Sequence, residues 1–74
     1  MTGKWVEFTN IVGAKVSLRV DSIIGFEEKH IGENPDTKYV IKPGDPFTVV
    51  YTNNNWFEEV IATYAEVKQA IEEN

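Results

Sequence analysis

From Lys4 to Thr52 the chain repeatedly alternates apolar with polar residues, a period of two that suits a strand with one buried face and cannot lay a stripe along a helix. The clearest run is Lys15-Val16-Ser17-Leu18-Arg19-Val20, where Val16, Leu18 and Val20 point one way and Ser17 and Arg19 the other. Lys4 to Thr9 alternates too, with Val6 and Phe8 on one face and Trp5 on the opposite one. Asn10 to Ala14, containing Gly13, reads as the hairpin loop between these runs. Asp21-Ser22 makes a corner before Ile23 to Glu28, in which Ile24 and Phe26 are expected to face the core and Ile23 to face away.

Further along, His30 to Asp36 is a polar, turn-rich connector, and Thr37 to Lys42 reads as a strand of β-branched and aromatic residues. Pro43-Gly44-Asp45-Pro46 then stops any ladder, because proline has no N–H to donate. Phe47 to Thr52 resumes as the fifth strand. Asn53-Asn54-Asn55 is a turn, with Asn55 in the N-cap position and Glu58 three residues on, the spacing of a capping box. Phe57, Val60, Ile61, Tyr64, Val67 and Ile71 recur at three- and four-residue steps, which predicts a helix over 56–72. The expected fold is α+β in one small domain over 1–74: a strand-rich part at 4–52 forming an antiparallel sheet of about five strands, with one C-terminal helix packed on one face.

A chain of 74 residues has a small core, and domains near this size bury only about 60% of their unfolded surface, so association between copies is expected. Cysteine is absent and His30 is the sole histidine, which leaves no thiolate nucleophile, no disulfide framework and no histidine cluster. Apolar runs of two to three residues are too short to span a membrane, and a cytoplasmic protein is expected. The net charge of −5 opposes the phosphate attraction that drives duplex binding. Most of that charge sits in residues 56 to 74, where Glu58, Glu59, Glu66, Glu72 and Glu73 face Lys68 alone.

The face of the sheet turned away from the helix is expected to be polar, yet Trp5, Ile23, Val40 and Val50 fall on it. Exposed together they would form a contact surface, either an interface between copies or a ligand floor; in a shifted register some of them would belong to the core instead. Arg19, Lys38 and Lys42 fall on the same face, where they either solvate the strands or converge on an anion. With Trp5 or Trp56 stacking on a planar group and Asn55 at a helix start, these residues would bind a nucleotide. Glu27, Glu28 and His30 lack an identifiable third ligand for a metal, and no catalytic set occurs in a specific spacing. No enzyme activity, metal or cofactor is expected.

The run Trp5 to Thr9, Gly13, Val16 to Ile24, the strand Phe47 to Tyr51 and Glu58-Glu59-Val60-Ile61 together resemble the short flagellar and swarming-motility proteins of the FlbD type, and small phage-encoded proteins share the layout. The chain differs from that family at Pro43-Gly44-Asp45-Pro46 and in lacking an Asn-Gly turn before its last strand. The resemblance implies a β-meander with a C-terminal helix and a non-enzymatic accessory role. The expected function is an oligomeric protein that captures a small anionic ligand such as a nucleotide signal, as phage sequestering proteins do. The alternative is a protein-interaction module of flagellar or regulatory type.

Overall fold

Trp5–Thr9 (β1) and Lys15–Arg19 (β2) pair as an antiparallel hairpin, with Trp5 opposite Arg19 at its open end and Thr9 opposite Lys15 at the turn. The turn is held from within: Asn10 Oδ1 accepts from the amides of Val12 at 3.1 Å and Ala14 at 2.9 Å. Gly13 adopts φ 89° there, a left-handed conformation that a β-carbon disfavours. The computed structural model describes residues 4–73.

A 3-10 turn over Val20–Ser22 carries the chain into Ile23–His30 (β3). This strand pairs antiparallel with Pro46–Thr52 (β4), which pairs antiparallel with Phe57–Val60 (β5). Tyr64–Glu72 (α1) closes the chain. Among the described residues the fold is therefore α+β and antiparallel, with five strands and a C-terminal helix, and the strands divide into a two-stranded and a three-stranded sheet. The sheets are joined at one place, where Asn10 bridges Val60, Ile11 N donates to Glu59 O at 3.0 Å and Ile61 N donates to Thr9 O at 2.7 Å.

Both faces of the three-stranded sheet are covered, and β4 supplies the wall between them. On one side Phe47 and Val49 pack with Ile11 and Ile31 under Tyr39 and Ile41. On the other, Val50, Val60 and Val67 form a cluster with Phe8, Val16, Leu18, Ile23, Phe26 and Ile71, so that the helix and the β1–β2 hairpin cover this face. Thr48 is also fully buried here, and its hydroxyl donates to Ala62 O at 2.7 Å, which satisfies the one polar group the strand turns inward at that point.

Several expectations are corrected. Thr37 to Lys42 is not a strand. Asp36 organises a turn instead, its carbonyl accepting from Tyr39 N at 3.0 Å and its Oδ1 from Lys38 N at 3.1 Å. Tyr39 and Ile41 then lie across the sheet rather than in it, because covering Phe47 and Val49 removes more apolar surface from water than a free edge strand would. The helix does not run over 56–72. Its first part is β5, since Phe57-Glu58-Glu59-Val60 finds backbone partners along β4 that an isolated helical turn would not offer. Asn55 is accordingly not an N-cap; it has φ 65° and is the third residue of the four-residue loop between β4 and β5, a left-handed position that asparagine tolerates.

Ile23 and Ile24 exchange their expected roles. The register shifts between Ile23 and Gly25, and this bulge turns Ile23 to the core while Ile24 stands out in solvent. Val50, expected on an open face, has no accessible surface at all. Val40 and Trp5 are exposed, but Val40 lies against Gly13 in the hairpin turn, whereas Trp5 sits at the open end of that hairpin. The four residues therefore do not form one interface.

Thr63 is the actual N-cap of α1. Its hydroxyl accepts from Glu66 N at 3.2 Å, Glu66 Oε1 accepts from Thr63 N at 2.8 Å, and Glu28 Oε1 accepts from Tyr64 N at 2.7 Å. The Phe26 and Tyr64 rings, with centroids 4.9 Å apart, seat this first turn on the sheet. Thr63→Ala should cost about 1 kcal/mol, whereas Thr63→Ser should keep most of it, as read from urea midpoints. Equal midpoints for both variants and the parent chain would show that the box contributes nothing. Among the described residues no helix is long and apolar enough to cross a membrane.

Candidate functional site

The open end of the β1–β2 hairpin and the β4–β5 loop meet at a shallow cleft of about 230 Å³. Three backbone and side-chain bonds set this meeting. Val20 N donates to Lys4 O at 2.8 Å, Asn53 N donates to Ser22 O at 2.9 Å, and the Ser22 hydroxyl donates to Arg19 O at 2.8 Å. The 3-10 turn thus ties the β4–β5 loop to the strand end that carries Arg19.

Two indoles line the cleft. Trp5 and Trp56 are each 59% exposed, which for side chains of this size leaves a large apolar surface in water. Leu18 contributes at the base, with Ser17, Ser22, Thr52, Asn53 and Asn54 supplying hydroxyls and amides. Arg19 is placed by strand geometry: directly opposite Trp5, it shares that residue's face. Its Nη2 donates to Asp21 Oδ2 at 3.0 Å, and half of the guanidinium side chain remains exposed. Trp56 is oriented by its Nε1, which donates to Glu58 Oε2 at 2.6 Å, and its carbonyl accepts from Thr52 N at 2.8 Å.

The residues expected at a ligand site are only partly brought together. Trp5, Arg19 and Trp56 share the cleft. Lys38 lines a different cleft beside the hairpin turn and pairs loosely with Asp36 at 4.0 Å. Lys42 lies in the loop before β4, where its amide donates to Asp45 Oδ2 at 2.9 Å. Asn55 is exposed on the β4–β5 loop and is not among the residues lining the cleft. The three cations therefore do not converge, because the segment carrying Lys38 and Lys42 is a loop across the sheet and not a strand in it. Asn53 and Asn54, whose run the sequence offers as hydrogen-bonding partners for a ligand base edge beside Trp56, do line the cleft, whereas nothing in the sequence marks Ser22 for it. Ser17 lies two residues from Arg19, the spacing that puts both on one strand face.

The acidic residues near His30 are engaged structurally. Glu27 Oε1 accepts from the Tyr51 hydroxyl at 2.6 Å, and this hydrogen bond is the main cause that holds the phenol above its ordinary pKa; burial and the Glu27 charge act in the same direction. Glu28 serves the helix start described above. Among the described residues no group of three or more His, Cys, Asp or Glu side chains is placed to hold a metal ion.

No family model matches the chain, and no curated protein or solved structure matches it.

Proposed function

We propose that the chain is a non-catalytic binding protein whose Trp5–Trp56 cleft takes a small, planar, anionic ligand of the nucleotide type. The observation that carries this reading is the meeting of two exposed indoles with a half-exposed guanidinium at one cleft. An indole face accepts a base by stacking, a contribution of about 1–3 kcal/mol per base. Arg19 offers a fork to phosphate oxygens, although Asp21 already occupies one of its nitrogens. Anion binding then competes with that ion pair. The cleft is small and open, so the base and one phosphate account for the contacts, and the rest of a ligand would stay in solvent.

The test is titration calorimetry of the whole chain against nucleoside monophosphates and cyclic dinucleotides. Arg19→Ala should weaken binding by about tenfold, the effect of one charge-assisted hydrogen bond. Asp21→Asn should tighten it by up to about fivefold, because a surface ion pair worth at most about 1 kcal/mol no longer competes. Heats absent for every compound at millimolar concentration, or affinities indifferent to Arg19→Ala, would remove the nucleotide reading.

A further inference from the structure

The geometry points to a second binding site on the far side of β5, where an extended peptide of basic and apolar residues adds as a strand beside Phe57. The pairing pattern fixes which backbone groups face outward. Thr52 N donates to Trp56 O, so Trp56 turns its carbonyl toward β4, and alternation in an antiparallel ladder turns Phe57 and Glu59 away from it. The outward carbonyl of Glu59 is used, by Ile11 N at 3.0 Å. Phe57 is two residues further toward the β4–β5 loop, and the chain does not reach it. After Asn10 it turns back through Gly13, whose amide donates to Asn10 O at 2.9 Å. The ladder begun at the Asn10–Val60 bridge therefore stops one pair short.

The gap left there is a cleft of about 240 Å³ lined by Val12, Lys38, Tyr39, Phe57, Glu58 and Glu59, among others. Phe57 is 52% exposed and Val12 41% exposed, so an apolar side chain from an added strand has two surfaces to meet. The β2 and β3 edges carry charges of both signs, Lys15 and Arg19 on β2 and Glu27, Glu28 and Lys29 on β3. On β5 the charges are acidic alone, and the position whose backbone is left open is the apolar Phe57. Glu59 shares the face of Phe57, and the one ammonium at the cleft, Lys38, already lies 4.0 Å from Asp36, so the local field selects a cationic partner. This site is separate from the Trp5–Trp56 cleft and does not rest on the nucleotide reading.

The test selects displayed random octapeptides against the intact chain and measures the best synthetic peptide by fluorescence anisotropy. The expected peptides alternate apolar residues with Lys or Arg. Phe57→Glu should weaken them at least about tenfold, while Trp5→Ala, on the other cleft, should change them by less than about twofold. N-methylating the one peptide amide that faces Phe57 should cost about tenfold, and methylating its neighbours little, because only alternate amides reach the ladder. Far-ultraviolet circular dichroism of each variant separates lost binding from lost fold. No enrichment over an unrelated protein, acidic selected sequences, equal binding to Phe57→Glu with the fold intact, or indifference to N-methylation at every position would each overturn the proposal.

Discussion

Trp56→Ala is expected to weaken nucleotide binding by between about fivefold and about a hundredfold, the range set by losing one stacked base of about 1–3 kcal/mol. The loss should fall on affinity and not on folding. Trp56 is 59% exposed, and its hydrogen bond to Glu58 lies at the surface, so little of the core depends on the ring. Its backbone, which closes the β4–β5 loop through Thr52, is untouched by the substitution. Trp56→Phe should recover most of the binding, since a smaller aromatic face still stacks but cannot donate to Glu58. Calorimetry on the three proteins, with thermal melts alongside, reads both properties. If Trp56→Ala binds within about twofold of the parent chain, the indole is not a stacking surface and the proposed ligand site is wrong.

Val50→Ala carries the largest expected effect on stability, about 2–3 kcal/mol from two lost methyl groups and the cavity they leave. Val50 has no exposed surface and packs in one cluster with Val60 and Val67, under elements from three parts of the chain. Few of those neighbours can collapse into the space, because β4 is held on both sides by its ladders. For a chain of 74 residues, whose total stability is about 4–11 kcal/mol, this would lower the melting temperature by about 10–20 °C. A residue on a solvated face would change it by less than about 0.5 kcal/mol. Urea melts therefore separate the two placements of Val50, and a negligible shift would return it to the surface.

What could be read from the sequence was whatever depends on near neighbours. Val16 and Leu18 turn inward and Ser17 and Arg19 outward because a strand has no other way to place consecutive side chains. The C-terminal helix could also be foreseen, but not its start. Asn55 with Glu58 and Thr63 with Glu66 have the same spacing, and only the second pair folds into a capping box. The choice is made by β4, whose open side pairs with Phe57 to Val60 and draws those residues out of a helix. Ile11 and Ile31 are core residues that no local pattern marks, for a related reason. Each sits in a segment with a loop's composition, and each is buried by residues distant in sequence.

The candidate site divides along the same line. The chemistry of Trp5, Arg19 and Trp56 was legible as residue type, and the Trp5–Arg19 pairing follows from a hairpin closed around Gly13. That Trp56 joins them depends on the bond between Asn53 and Ser22, which no local pattern announces. The positions of Lys38 and Lys42 differ from expectation because their segment is a loop and not a strand. Nothing in Thr37-Lys38-Tyr39-Val40-Ile41 distinguishes a strand from a loop that carries two anchoring side chains, and the decision again belongs to the sheet it covers.

That covering segment, residues 31–45, leaves the sheet after His30 and returns at Pro46, and these two residues are paired opposite each other. Topologically it is the loop of a hairpin, and a turn of a few residues could join the same strands. Such a shorter chain would bare Phe47 and Val49 and would need a second molecule to shield them. Here the shield is tethered at both ends, so it is present at the effective concentration of an intramolecular group, on the order of millimolar for a short flexible link. The segment stands in for a subunit, and this face of the sheet stays shielded however dilute the protein becomes.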